Sequence, residues 1–169
     1  MPFDPVDDKA LPEACTGLYA GGGFPEVFAE PLAANRPLFE DVRRRVAGGL
    51  VTWAECGGLL WLSRSPDGYP LAGAVDAEAR MTDRLALGYR RARVCADNPV
   101  APVGTELRGH EFHYSTTAPT GHALELGSRF DSKRKRIRLA NHLGQLPPPP
   151  PPPRSRAGCV TERFVAAVC

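Results

Sequence analysis

The segment LVTWAECGGLLWL, residues 50–62, places one cysteine between a short apolar run and a pair of glycines. The run LVTWA is short, β-rich and apolar, which is typical of a central strand, and GGLLWLS after it fits a packed helix. Where a strand-to-helix turn exposes a nucleophile, the residues two before and two after it must be small, because the backbones approach closely. Ala54 and Gly58 hold these positions, so the pattern predicts a nucleophile elbow at Cys56.

Two interpretations of Cys56 are open at this level. A free cysteine in a globular domain is more often a small buried apolar residue than a nucleophile. Against this, a helix that begins after Cys56 would direct its dipole and free N–H groups at the sulfur, and both favour the thiolate. Gly57 and Gly58 support the elbow, because a glycine inside a helix costs about 1 kcal/mol relative to alanine unless a close approach requires it.

A thiol nucleophile needs a base, and the chain has four histidines. His122 and His142 lie in loop or tail composition, so we expect them to be exposed or structural. His110 and His113 lie in RGHEFHYS, and in a strand they face opposite sides because they are three residues apart. Only one of them can then face the cysteine and act as its base. Phe112 is expected to share a face with His110.

The glycine run Gly21–Gly23 follows TGLYA (16–20), which is predicted to be a buried strand. GGGFPE does not match G-x-x-x-x-G-K-[ST], so it is not a nucleotide phosphate loop. Most glycine clusters are simple turns. However, acyl transfer at a cysteine needs a second backbone N–H facing the oxyanion, besides that of the residue after the nucleophile. A glycine loop at a neighbouring strand end can supply it.

Composition narrows the class of protein. The 169 residues fit one globular domain, and a net charge of +2 gives no reason to expect nucleic acid or an anionic membrane as partner. No apolar run approaches the roughly 18 residues of a membrane span and the start lacks the order of a secretory signal, so we expect a cytoplasmic protein. The five scattered cysteines include no C-x-x-C pair for zinc or redox chemistry: Cys15, Cys56, Cys95, Cys159 and Cys169.

Two compositions meet along the chain. Residues 1–127 alternate short apolar runs with Gly, Pro and Asn, which is typical of an α/β domain. A helix is predicted from an Asn35 cap to Gly48, with its apolar residues on one face, and further strands are predicted in YPLAGAV, LALGYRRARV and RGHEFHYS. Residues 128–158 contain SKRKRIR, seven consecutive prolines and PRSRAG, so we expect a disordered, low-complexity segment.

Four motifs in order are similar to one known family: LYAGGGFPEVFAEPLAANRPL, WAECGGLLWL, ARMTDRLALGYR and LRGHEFHYS. They resemble the glutaminase domain of the cobyrinic and hydrogenobyrinic acid a,c-diamide synthases, over about residues 3–116. ERFVAAVC resembles the family's last helix, so residues 159–169 are expected to form a short helix. The resemblance implies a class I glutamine amidotransferase fold, a flavodoxin-like sheet with helices on both faces, here without the family's first strand and helix.

The resemblance also implies a role for each site residue. Cys56 would attack the side-chain amide of glutamine to form a thioester, and His113 would pass a proton to the departing ammonia. In the wider class a glutamate lies two residues after this histidine, but here that position is Ser115. The oxyanion would be stabilised by backbone N–H groups of three glycines, Gly22, Gly23 and Gly57.

The partners follow from the resemblance as well. In the family, ammonia passes to a synthetase domain that uses ATP and Mg²⁺ to activate the a and c carboxylates of the corrin ring in cobalamin biosynthesis. We therefore expect glutamine as substrate and no cofactor in this chain, with ATP, Mg²⁺ and the corrin bound by a separate synthetase domain. No nucleic acid or membrane partner is expected, and a homodimer is a further expectation.

Alternatives stay open beside this interpretation. The chain could be a non-catalytic fragment or interaction protein, whose proline run and SKRKRIR present a polyproline II ligand or a basic patch. A cobyric acid synthase-type amidotransferase shares the elbow, although MTDRLALGYR and GHEFHYS favour the a,c-diamide branch. After His113 the family usually has a second histidine-bearing element, and its replacement here suggests a change of reading frame over residues 128–158.

Two further sets of charged residues remain without an assigned role. Glu55 precedes the cysteine as in the family's AECGG, where a hydrogen bond to the substrate and a structural hydrogen bond are equally open. The charged residues of ARMTDR are expected to be solvated, with contact to another domain as their functional alternative: Arg80, Asp83 and Arg84.

Overall fold

The chain folds as a mixed α/β protein, as the sequence predicts. The computed structural model describes residues 1–64, 67–96, 101–118, 123–128 and 137–139. The elements in chain order are β1 (Gly17–Ala20), α1 (Ala29–Ala34), α2 (Arg36–Ala47), β2 (Val51–Ala54), α3 (Gly57–Leu62), β3 (Glu78–Val94), β4 (Glu106–Ala118), β5 (Leu124–Ser128) and β6 (Ile137–Leu139).

The described strands form two sheets, whereas we expected one sheet with helices on both faces. In the first sheet β1 and β2 pair in parallel, with Tyr19 opposite Trp53. The second sheet is antiparallel and has the strand order β4-β3-β5-β6. β3 and β4 are joined by a short connection, and parallel pairing of consecutive strands needs a longer crossover, so they pair antiparallel.

The predicted helix forms as α2, with Pro37 in its first turn and Gly48 after its last residue. Its predicted cap is wrong in detail. Asn35 precedes the helix, but its side chain makes no capping hydrogen bond. Instead the Asn35 amide donates to the backbone oxygens of Pro5 and Asp8, at 3.0 and 2.7 Å. The asparagine therefore ties the N-terminal segment to the helix.

Two of the three later predicted strands form, in β3 and β4. YPLAGAV, residues 69–75, is not a strand. Its backbone instead binds the end of α3: the N–H of Ala72 donates to Trp61, and that of Val75 donates to Leu62. These bonds satisfy carbonyls that the last helical turn leaves without partners, so the segment packs along α3 and does not pair with a strand.

Buried apolar side chains form two clusters among the described residues. The larger core lies between the first sheet, α2, α3 and the segment after α3, and its fully buried members include Leu38 and Leu62. The smaller core lies on β3 and β5 and consists of Ala92, Val94, Ala123, Leu124 and Leu126. Trp53 of β2 packs against the smaller core, so it connects the first sheet to the second.

Residues 1–16 contain no helix or strand, and α2 holds them in place. The N–H of Leu11 donates to the buried carboxylate of Asp41 at 3.0 Å. Arg45 donates to the backbone oxygens of Leu11 and Pro12 and pairs with Asp41 at 3.0 Å. Burial works to raise the pKa of Asp41, but the hydrogen bonds and the arginine charges lower it below its ordinary value.

The domain boundaries 1–127, 128–158 and 159–169 stay predictions. Ser128 and residues 137–139 belong to strands, and IRL alternates apolar and charged residues as a strand does. The proline run, residues 159–169, His122 and His142 lie outside the described residues.

In the part of the chain that the structure describes, no helix is both long and apolar enough to cross a membrane. The cytoplasmic location stays a prediction.

Candidate active site

Cys56 lies on a sharp turn between β2 and α3, as the sequence predicts. Its backbone has φ 49° and ψ −117°, in a region that residues other than glycine rarely occupy. The turn is fixed on both sides, since the N–H of Glu55 donates to Ala20 and the N–H of Leu59 donates to Cys56. Strain of this kind costs about 1–3 kcal/mol and is concentrated at active sites.

The glycine loop after β1 packs directly against this turn. A Cβ atom placed on Gly57 would lie 2.3 Å from the backbone oxygen of Gly23, and one on Gly22 would lie 3.9 Å from the Cβ of Cys56. A side chain at Gly57 would therefore separate the loop from the turn. The structure thus brings together four of the predicted site residues: Cys56, Gly22, Gly23 and Gly57.

Gly58 fulfils the small-residue rule that predicted the elbow. A Cβ atom placed there would lie 2.1 Å from the backbone oxygen of Ala20 and 2.7 Å from that of Gly21. Ala54, two residues before the cysteine, is fully buried. The helix can approach β1 so closely only because position 58 has no side chain.

The predicted oxyanion site consists of the backbone N–H groups of three glycines. Within residues 1–64, 67–96 and the other described ranges, no hydrogen bond uses the N–H groups of Gly22, Gly23 or Gly57. Gly57 follows Cys56 directly, and a Cβ atom on Gly22 would lie 3.9 Å from the Cβ of this half-buried cysteine. This geometry is compatible with oxyanion binding, and the catalytic role of these groups stays a prediction.

Glu55 has the structural hydrogen bonds that were one of its two predicted roles. Its carboxylate accepts from the Tyr19 hydroxyl at 3.0 Å and from the Trp53 indole N–H at 2.7 Å. The hydrogen bond to Glu55 and its negative charge raise the pKa of Tyr19. Because Tyr19 and Trp53 are register partners, Glu55 joins β1 to β2 at the end that carries the cysteine.

The two histidines of RGHEFHYS face opposite sides of β4, as predicted. His110 and Phe112 are on the exposed side, and His110 stacks edge-on against Tyr89 with ring centroids 5.3 Å apart. His113 lies on the other, half-buried side, opposite Ala86 of β3. The exposed side therefore holds His110 in an aromatic pair.

The His113 ring is held at both nitrogens. Nε2 lies 2.9 Å from Oε1 of Glu111, and Nδ1 lies 2.9 Å from the backbone oxygen of Ser115. The backbone N–H of Ser115 also points at Nδ1, at 3.4 Å. The sequence left the orientation of this ring unexplained, because the glutamate expected two residues later is absent. The structure supplies a glutamate two residues earlier.

Glu111 and Arg90 are the site residues that sequence reasoning missed. The second carboxylate oxygen of Glu111 is within ion-pair distance of Arg90 of β3 but accepts no well-directed hydrogen bond, and the two side chains are only 14% and 22% exposed. The available signal was the spacing E-x-H, because residues two apart in a strand share a face. Arg90 could not be found in this way, since its position depends on the register between β3 and β4.

The structure does not join all the predicted site residues. No hydrogen bond among the described residues connects Cys56 with His113; the cysteine lies with the glycines, and the histidine lies with Glu111 and Arg90. The charged residues of ARMTDR lie in β3, with Arg80 paired to Glu78 at 3.1 Å. Their contact with another domain stays a prediction.

A strained strand-to-helix turn with a cysteine at its apex and glycines on both sides defines a class, the α/β domains with a cysteine nucleophile elbow. Within it, the chain belongs to the CobB/CobQ-like glutamine amidotransferase domain family, whose family model matches residues 1–144. The resemblance found in the four sequence motifs is therefore confirmed.

Curated relatives agree with this family. Hydrogenobyrinate a,c-diamide synthase of Streptomyces coelicolor is 47% identical over 133 residues, which cover 78% of this chain and 27% of the relative. The enzyme of the same name from Thermobifida fusca is 51% identical over 119 residues, 70% of this chain and 25% of the relative. Cobyrinate a,c-diamide synthase of Caldanaerobacter subterraneus is 45% identical, over 68% of this chain and 27% of the relative. The chain thus spans about a quarter of their length.

Proposed function

We propose that this chain is the glutamine-hydrolysing portion of a cobyrinate or hydrogenobyrinate a,c-diamide synthase. In this role it releases ammonia from glutamine for amidation of the a and c carboxylates of the corrin ring. The observation that carries the proposal is the positive φ of Cys56 on a turn against which the glycine loop packs. The names of the curated relatives support the choice of pathway.

In the proposed reaction the Cys56 thiolate attacks the amide carbon of glutamine. The carbonyl oxygen becomes negatively charged and is bound by the N–H groups of the three glycines. The protonated His113 ring gives its proton to the nitrogen as the C–N bond breaks, so ammonia leaves and a thioester remains. His113 then takes a proton from water, whose oxygen attacks the thioester and releases glutamate and the thiolate.

We assign ATP, Mg²⁺ and the corrin to a separate synthetase region, of the kind that would occupy the rest of the relatives' length. Among the described residues no three His, Cys, Asp or Glu side chains are grouped to bind a metal ion. Ammonia is the species that would link the two reactions.

Glutamate release from glutamine by the purified chain tests the proposal. We expect release by the wild type, and loss of about two or more orders of magnitude in both Cys56→Ala and His113→Ala. The matched controls are Cys95→Ala and His110→Ala, which change an exposed thiol and the exposed histidine and should keep full activity. Equal release by Cys56→Ala and the wild type would contradict the proposal.

A further inference from the structure

The Glu111 carboxylate is placed to decide which nitrogen of His113 carries a permanent proton. An ionised carboxylate only accepts hydrogen bonds, so the 2.9 Å contact to Glu111 requires the proton to be on Nε2. That nitrogen is then occupied as a donor. The other ring nitrogen, Nδ1, faces the backbone of Ser115.

The backbone of Ser115 offers Nδ1 a partner in each protonation state. When Nδ1 carries a proton, it can donate to the Ser115 oxygen at 2.9 Å. When it carries none, it can accept from the Ser115 N–H at 3.4 Å. The ring is therefore held at both nitrogens, by Glu111 at Nε2 and by the backbone of Ser115 at Nδ1.

Arg90 in turn holds the carboxylate. Gly88 lies directly opposite Glu111 in the register of β3 and β4, and the Arg90 guanidinium lies over it. A Cβ atom on Gly88 would come within 2.9 Å of an Arg90 nitrogen. The missing side chain thus leaves the space through which Arg90 reaches Glu111. Arg90 thus pairs with one carboxylate oxygen of Glu111 while the other contacts His113.

We propose that Glu111 and Arg90 are positioning residues for His113: Glu111 fixes the ring through Nε2, and Arg90 pairs with Glu111. The inference rests on the proposed function for the identity of the reaction. It replaces the glutamate found two residues after the histidine in the wider class with one two residues before it. Both positions lie on the same face of the strand as the histidine.

Kinetics of glutamine hydrolysis give the first test. We expect Glu111→Ala to lower kcat by about 10- to 100-fold with KM within about twofold, because the ring is misplaced while glutamine binding is untouched. Glu111→Gln should recover part of kcat, since its amide oxygen can still accept from Nε2. The matched control is Glu106→Ala, which removes an exposed carboxylate of the same strand, 4.0 Å from Arg91, and should leave kcat unchanged.

A double variant separates positioning from a structural role. If Glu111 acts through His113, adding Glu111→Ala to His113→Ala lowers kcat no further. A second loss of the same size in that background would overturn the proposal.

Nuclear magnetic resonance of histidine-labelled protein tests the positioning without any activity. The wild type should show a protected ring N–H proton on Nε2 of His113, and Glu111→Ala should lose it while His110→Ala keeps it. Persistence of this signal in Glu111→Ala would overturn the inference. Absence of glutamate release from folded wild type would count against the proposed function alone. The positioning of His113 is tested separately, by the ring N–H signal.

Discussion

Gly57 has two roles: it allows the glycine loop to pack against the cysteine turn, and its N–H group belongs to the proposed oxyanion site. A methyl group at this position would lie 2.3 Å from the backbone oxygen of Gly23, and backbone atoms cannot turn away as a flexible side chain can. We expect Gly57→Ala to destabilise the chain by about 1–3 kcal/mol, as overpacking does, and to reduce glutamine hydrolysis by moving the loop. Urea unfolding followed by circular dichroism measures the first effect.

The neighbouring loop provides the control for this prediction. A Cβ atom on Gly23 would meet nothing within 4 Å, and Gly23 is not among the glycines with a positive φ. Gly23→Ala should therefore change the free energy of unfolding by less than about 0.5 kcal/mol. Equal destabilisation by both substitutions would show that the close approach at Gly57 is not what limits stability.

For single residues, the sequence predicted the features that depend only on residues nearby in the chain. The small residues on both sides of Cys56 were enough to predict the turn, and the spacing of His110 and His113 was enough to predict their opposite faces. The partners of His113 were missed for different reasons. Glu111 could have been found from the strand period, whereas Arg90 required the register of two strands.

Among the elements, α2 depends on Asp41 to hold the N-terminal segment. Burial opposes ionisation of this carboxyl, but the Leu11 N–H, Arg45 and Arg44 outweigh it and lower its pKa below 3.8. A lowered pKa in the folded state gives stability that is present above pH 3.8, the ordinary value, and is lost as pH falls through the folded value. Acidification should therefore remove the contribution of Asp41.

We expect Asp41→Asn to lower the free energy of unfolding at pH 7 by about 1–3 kcal/mol, because it weakens charged hydrogen bonds in a buried place. The difference between the variant and the wild type should shrink below pH 3.8. Glu40→Gln, on the exposed face of the same helix, should show little difference at any pH. Urea titrations at several pH values make the measurement, and a difference that grows on acidification would refute the explanation.

Element prediction succeeded where one local pattern decided the outcome and failed where distant backbone groups competed. The apolar stripe on Leu38, Val42 and Val46 predicted α2, and all three are buried. YPLAGAV has the composition of a strand, but its N–H groups bind the end of α3. The division of the strands into two sheets was also unpredictable, because strand partners are chosen across the whole chain.

On the scale of the whole molecule, the two cores differ in size. Each is contacted by one tryptophan, whose fluorescence reports on that core. Among the described residues the larger core has 16 buried members and the smaller has five. The chain has two tryptophans. Trp61 is buried in the larger core and Trp53 packs against the smaller one. Fluorescence can therefore follow the two cores separately.

We expect the smaller core to unfold first, because local stability follows the apolar surface that a unit buries. In urea, Trp53 emission in the Trp61→Phe variant should change at a lower concentration than Trp61 emission in the Trp53→Phe variant. Leu126→Ala should lower the midpoint reported by Trp53, by removing a buried side chain of the smaller core, and leave that reported by Trp61 unchanged. If Leu126→Ala moves both midpoints equally, the two cores unfold as one cooperative unit. The contact of Trp53 with the second sheet is then strong enough to couple the cysteine turn to the strand that carries His113.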